Sequence, residues 1–164
     1  MIILGIDPGL GTMGYGVIEA QGDRRRVIQY GVISTRPGEA TPQRLRSVFK
    51  GVNQLLDIYQ PDDVAFEELF FSKNVTTGMA VSAARGAAIV AVAERTENLY
   101  EYTPNQIKQA VTGYGRADKH QVQQMVKLLL HMEDIARPDD AADALAVALT
   151  HANSVNQKQL FKIR

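Results

Sequence analysis

The sequence predicts an α/β fold with a mixed sheet of five strands. Residues 2–7 form a continuous apolar run, which is the pattern of a strand covered on both faces. Two further segments rich in Val, Ile and Tyr follow it and predict a three-stranded meander. An amphipathic helix then precedes another apolar strand, and this strand–helix–strand connection lays the new strand parallel to an earlier one.

The elements follow in order from composition and periodicity. Strands are predicted at residues 2–7, 14–20, 26–34, 64–70 and 99–103. The clearest helix has Thr41 as its N-cap and Pro42 at its first position, and its apolar residues keep the 3.6-residue period until Pro61 ends it. Further helices are predicted at residues 75–95 and 104–111, after a cap at Asp118, and from Pro138 onward. The last of these is apolar nearly all round, so we expect it to be buried.

The length of 164 residues predicts one domain, residues 1–153, followed by a basic, loosely ordered tail at residues 154–164. The absence of cysteine excludes disulfides and thiolate metal sites, so any metal must be held by carboxylates or histidines. No apolar run approaches the roughly 20 residues of a membrane span, and no signal peptide is recognised at the N-terminus. We therefore expect a cytoplasmic protein without membrane association.

Charge is balanced overall but segregated along the chain. The 18 basic residues equal the 18 acidic ones. Residues 22–50 nevertheless hold seven basic residues against two acidic ones, and residues 133–143 hold five acidic residues against one basic residue. Such segregation suits a protein that binds phosphates at one place and metal ions at another, and solvated surface charge is the alternative interpretation.

Asp7 is the first candidate functional residue, because a carboxylate at the end of a buried strand is costly unless it is hydrogen-bonded or holds a cation. Gly9, Gly11 and Gly14 have the spacing of a dinucleotide-binding loop, but a strand follows them where that motif requires a helix. The stretch also resembles the first phosphate loop of the actin, Hsp70 and sugar-kinase ATPases, which need two such domains where this chain has the length for one. A tight hairpin with positive φ angles accounts for the glycines.

The remaining acids favour a metal site. Glu67 follows the apolar triplet 64–66 within a strand, and Asp143 lies inside the alanine-rich last helix. Asp140 precedes Asp143 by three residues, so both carboxylates project from one face of that helix. Acids in buried elements repel one another and lose hydration unless a cation lies between them. Oxygen ligands without cysteine select Mg²⁺ or Mn²⁺.

Four sequence blocks resemble the RuvC-type Holliday junction resolvases, in order and over nearly the whole chain. These blocks are GIDPGLGTMGYG, AFEELFFSKN, ARGAAIVA and DAADALAVALTH. The resemblance implies the ribonuclease-H-like fold, with helices on both faces of the sheet. It also implies two Mg²⁺ ions, or Mn²⁺ in their place, held by the catalytic carboxylates Asp7, Glu67, Asp140 and Asp143. The D-A-A-D spacing selects Asp140 over Asp139, and strand alternation lets only one of Glu67 and Glu68 face the site.

The same resemblance implies contacts to DNA. Lys108 and Lys119 would contact phosphates on either side of the loop that holds Arg116, and Phe70 would stack on a base near Lys73. The implied substrate is a four-way junction, cut by paired symmetric nicks that leave 5′ phosphates, in homologous recombination and DNA repair. A two-fold homodimer supplies the two active sites, and the RuvA-RuvB branch-migration complex is the implied partner.

Several points stay open at the level of the sequence. The helix at 75–95 is a candidate for the dimer interface, with core packing as the alternative. His151, two turns beyond Asp143, is a candidate neighbour of the site. A lone ATPase half-domain, a DNA-binding module without activity, and a nuclease of the same fold acting on RNA or ordinary duplex are the competing functions.

Overall fold

The computed structural model describes residues 1–69 and 75–164, and its strands form one five-stranded sheet. The strands are β1 (Ile2–Asp7), β2 (Thr12–Gln21), β3 (Arg24–Ser34), β4 (Asp63–Glu67) and β5 (Leu99–Tyr102), in the spatial order β3-β2-β1-β4-β5. β1 pairs antiparallel with β2 and parallel with β4, and β5 continues the parallel half. The predicted mixed sheet is confirmed.

Helices cover both faces of this sheet. They are α1 (Thr41–Tyr59), α2 (Val75–Ala93), α3 (Pro104–Thr112), α4 (Lys119–Leu129) and α5 (Asp139–Asn153). Successive residues of a strand point to opposite faces. Leu4 and Ile6 accordingly pack in one core with α1 and α2, while Ile3 packs in a second core with the other three helices.

Several element ends differ from their predictions, most by one or two residues. α1 begins at Thr41, but its N-cap is Ala40, which makes no side-chain cap bond, so the predicted Thr41 cap is wrong. β4 ends at Glu67, short of the predicted residue 70. The predicted Asp118 cap is confirmed, because its side chain accepts from the Gln121 backbone N–H within a reciprocal capping box.

The C-terminal residues pack on the sheet, which differs from the loose tail that composition suggested. Residues Val155–Phe161 form a 3-10 helix, and the Phe161 ring lies 4.7 Å from the Tyr102 ring. Lys158 Nζ lies 2.7 Å from Asp63 Oδ2. Burial by itself raises the pKa of Asp63, but hydrogen bonds from His151 and Lys158 outweigh that effect, so the pKa of this carboxyl lies below its usual value. An ion pair between the buried Asp63 and the partly buried Lys158 therefore holds the C-terminal segment against the sheet.

Glycines in β1 and β2 allow α5 to lie directly on the sheet. A Cβ at Gly5 would stand 2.2 Å from the Ala144 carbonyl oxygen, and one at Gly14 would stand 1.9 Å from the Asp140 carbonyl oxygen. Gly14 does not have a positive φ, and neither do Gly9 and Gly11, so the predicted reason for these glycines is wrong. At Gly14 the reason is the close approach of the helix that carries the two predicted metal ligands.

α2 presents an apolar surface that the described chain only partly covers. Ala84, Ala88 and Ala91 are fully buried, whereas Met79 is 68% exposed and Val90 is 53% exposed. By length and composition alone, Thr76–Ala93 passes the test for a membrane-spanning helix, and 22% of this window is buried. A single such helix is weak evidence for a membrane span, and exposed apolar residues on a helix are also typical of a protein–protein interface.

Candidate metal-dependent active site

The predicted carboxylates meet at one edge of the sheet. Asp7 ends β1 and Glu67 ends β4, and the carboxyl ends of parallel strands share an edge; the preceding residues Ile6 and Phe66 are paired directly. α5 begins over the same edge, where Gly14 admits the Asp140 backbone. Three elements that are distant along the chain thus each contribute an acid to one place.

The acids are close enough to share a cation. One carboxylate oxygen from each of Asp7, Asp140 and Asp143 lies within 4.8 Å of the others. Glu67 stands outside that triplet but is hydrogen-bonded to Asp7, and this bond raises the pKa of Asp7 and lowers that of Glu67. Oxygen donors in this arrangement suit a hard divalent ion such as Mg²⁺, which prefers carboxylates and keeps positions for water and phosphate.

The electrostatics of the cluster favour the binding of positive charge. Burial first, and then the nearby charges of Glu67, Asp143 and Asp140, together raise the pKa of Asp7 to about 9. Burial also raises the pKa values of Glu67 and Asp143, although Lys119 partly opposes the rise at both. Crowded, partly desolvated carboxylates of this kind are stabilised when a cation replaces the shared proton.

Two of the predicted phosphate-binding lysines lie at the cluster. Lys108 and Lys119 line a pocket of about 180 Å³ together with Glu67 and Asp143. Lys119 Nζ stands 2.9 Å from Asp143 Oδ2 and 3.4 Å from Asp139 Oδ2. These carboxylates raise the pKa of Lys119, so its ammonium group stays charged at the mouth of the pocket.

The structure shows which member of each adjacent acid pair, Asp139 or Asp140 and Glu67 or Glu68, faces the cluster. Asp139 is not in the triplet; Arg137 Nη1 lies 2.8 Å from it and Gln123 Nε2 lies 3.2 Å from it, at the surface. Glu68 lies past the end of β4, where its backbone N–H donates to the Tyr102 carbonyl at 2.8 Å. Asp140 and Glu67 are therefore the members of these pairs that face the cluster.

Other predicted residues fall elsewhere. Arg116 is exposed on the loop before α4 and does not line the pocket. Phe70 and Lys73 lie outside the described residues. His151 is fully buried at the far end of α5, between the Tyr102 hydroxyl at 2.8 Å and Asp63 at 2.9 Å, so it fastens the core instead of joining the site.

Sequence reasoning missed two residues beside the loop that follows Asp7. Thr35 is 7% exposed and holds this loop through its hydroxyl and its backbone N–H. Arg44 donates to the Thr35 hydroxyl at 2.8 Å. Only the excess of basic residues in 22–50 hinted at such a role, because spacing along the chain does not show that these residues reach the loop.

The sheet order and the acidic cluster at its edge define the class of protein: a ribonuclease-H-like α/β protein with a carboxylate site for divalent cations. Comparison with known families supports this assignment. The family model described as crossover junction endodeoxyribonuclease RuvC matches residues 3–151. A protein from Alkaliphilus metalliredigens with that same name is 55% identical over 164 residues, which is 100% of both chains.

Solved structures of similar proteins support the same family assignment. The Thermus thermophilus RuvC structure has a TM-score of 0.90 and 36% identity to this chain, and the match covers 99% of each chain. The T. thermophilus RuvC structure in complex with a Holliday junction substrate has a TM-score of 0.91 and 36% identity, and covers 99% of this chain and 98% of that one. This chain belongs to the RuvC family of crossover junction endodeoxyribonucleases.

Proposed function

We propose that this protein is a Holliday junction resolvase, a metal-dependent nuclease that cuts four-way DNA junctions in recombination and repair. The observation that carries this proposal is the convergence of Asp7, Asp140 and Asp143 within 4.8 Å, on a fold that a junction-bound relative shares. A DNA-binding module without activity would have no use for so costly a group of acids.

The metal ligands of the proposal are Asp7, Glu67, Asp140 and Asp143. Bound there, two Mg²⁺ ions would activate a water and stabilise the leaving 3′ oxygen, which gives a 5′-phosphate product. Asp7, between the β4 and α5 acids, would help to hold the ions, and its proton would be released to solvent when Mg²⁺ or Mn²⁺ binds. With a metal ion held by Asp143, the ammonium group of Lys119 would be released from that carboxylate and would contact a substrate phosphate alongside Lys108.

A homodimer is part of the same proposal, because resolving a junction takes two nicks on opposed strands. The exposed apolar face of α2 supports it. Met79, Gly86 and Val90 fall on one face of the helix by their spacing, and the empty space around Gly86 leaves room for a second helix to approach.

The remaining expectations rest on family membership. Base stacking by Phe70 and phosphate contacts by Lys73 and Arg116 would extend the DNA surface beyond the metal site. A cytoplasmic location without membrane association and cooperation with the RuvA-RuvB complex belong to the same proposal.

The test is incubation with a labelled synthetic four-way junction, with Mg²⁺ or with EDTA, beside a linear duplex of the same sequence. We expect paired nicks in the junction with Mg²⁺ and none with EDTA. Equal cutting of the duplex would indicate a different nuclease of this fold. Junction binding without cutting in any metal, or binding of ATP with Mg²⁺ instead, would overturn the proposal.

A further inference from the structure

Arg44 is held in a fixed position beside the loop that follows Asp7. Its Nε donates to the Thr35 hydroxyl at 2.8 Å, and that hydroxyl donates to the Leu10 carbonyl at 2.6 Å. The Thr35 backbone N–H donates to the Gly11 carbonyl at 3.0 Å. Because Thr35 is buried, these bonds orient the guanidinium group without using its terminal nitrogens.

The terminal nitrogens of Arg44 have no acceptor in residues 1–69 and 75–164. Four other arginines of the described chain, Arg26, Arg85, Arg95 and Arg137, are paired with acids; Arg95 Nη1, for example, lies 2.7 Å from Asp57 Oδ1. A Cβ added at the exposed Gly11 would stand 3.7 Å from Arg44 Nη2, so the guanidinium group lies against the surface of the loop. An oriented, unpaired guanidinium fork is well suited to bind a phosphate through two parallel hydrogen bonds.

The position of Arg44 relative to the acids suits its guanidinium group for binding a phosphate of the substrate strand. Gly11 follows Asp7 by four residues, so the chain between them spans at most about 14 Å. α1, which carries Arg44, covers the face of the sheet opposite α3 and α4, which carry Lys108 and Lys119. Arg44 and the two lysines therefore belong to opposite faces of the sheet whose edge holds the acidic cluster.

This inference rests on the proposed function: we propose that Arg44, oriented by Thr35, binds a phosphate next to the scissile one on the strand being cut. The strand is then held between Arg44 on one side of the cluster and the two lysines on the other. Arg44 acts as a positioning residue, because it fixes the register of the strand and does not contact the reacting atoms. Two-sided phosphate binding of this kind keeps a phosphodiester over the metal site.

The experiment compares Arg44→Ala, Arg44→Gln and Arg44→Lys with wild type, and uses Arg95→Ala as the matched control. Arg95 is an arginine on the same side of the sheet, and its charge is already paired. Binding to a synthetic four-way junction is measured in EDTA over a range of salt concentrations. Single-turnover cleavage is measured in Mg²⁺, with and without added guanidinium.

We expect Arg44→Ala to lower the slope of log affinity against log salt by about one, while Arg95→Ala leaves it unchanged. Arg44→Lys should keep the slope, because it keeps the charge, but cut roughly tenfold more slowly, since a lysine lacks the two-pronged contact. Free guanidinium should restore part of the cleavage rate of Arg44→Ala. A merely structural arginine would show neither the slope change nor this rescue.

An unchanged salt slope with unchanged cleavage in Arg44→Ala would overturn the proposal. If thermal unfolding shows that this variant is poorly folded, Arg44→Gln decides, since its amide can still donate to Thr35. The proposed function is judged separately by wild type and Arg95→Ala. If those two proteins cut no junction, the nuclease assignment fails, whatever Arg44 does to binding.

Discussion

Replacing Asp7 by asparagine should make the metal-free protein more stable while it abolishes cleavage. The change removes an ionisable group from the most crowded point of the acidic cluster and leaves a side chain of the same size. A carboxyl group whose folded pKa is raised contributes its full stability below its unfolded pKa. That contribution is lost as the pH rises toward the folded value.

The size of the effect follows from linkage. With the pKa of Asp7 raised from 3.8 to about 9, the cost of keeping this group folded at pH 7 has a ceiling of about 4 kcal/mol. Water can reach the open pocket and reduce this cost, so we expect a gain of about 1–2 kcal/mol in the variant. For a chain of this length, that gain raises the unfolding midpoint by about 3–6 °C.

The assay is thermal unfolding in EDTA across pH 4–8, with Glu94→Gln as a control that removes an exposed acid far from the cluster. The gap between Asp7→Asn and wild type should be near zero at pH 4 and should widen as the pH rises. Adding Mg²⁺ should stabilise wild type and narrow the gap, because the cation offsets the repulsion. A variant that is no more stable than wild type at pH 8 in EDTA, or that still cuts junctions, would refute this reasoning.

Four further outcomes are expected. The apparent affinity of wild type for Mg²⁺, measured by calorimetry, should rise between pH 7 and pH 9, because the proton held by Asp7 must leave; a flat profile would contradict the raised pKa. Asp63→Asn should lower the free energy of unfolding, measured in urea at pH 7, by about 3 kcal/mol. The difference from wild type should shrink as the pH falls through the lowered pKa of Asp63, because protonation of wild type removes the same ion pair. Gly14→Ala should displace the start of α5 and reduce cleavage at least tenfold, while binding of the junction persists. A cleavage assay measures the first effect and filter binding measures the second. Met79→Glu should turn the proposed dimer into a monomer in sedimentation analysis, and a variant that stays dimeric would place the interface away from α2.

Local patterns in the sequence were enough for most of the fold. Alternation and continuous apolar runs predicted five strands, and the 3.6-residue period together with the Asp118 cap predicted the helices. These predictions succeeded because each depends on residues only a few positions apart. The end of β4 and the packed C-terminal segment were not predicted, because both depend on partners that are distant along the chain, such as Asp63 for Lys158.

The sequence by itself determined the candidate acids, because Asp7, Glu67, Asp140 and Asp143 stand in the blocks that resemble the RuvC-type resolvases, with Glu68 and Asp139 as the neighbours in doubt. The tertiary structure decided that Asp140 and not Asp139 turns into the cluster, that His151 belongs to the core, and that Arg44 reaches the loop after Asp7. The physical reason is that a site is a set of distances across the fold. Those distances are set by how closely helices approach the sheet, and here that approach depends on the absence of a side chain at Gly14.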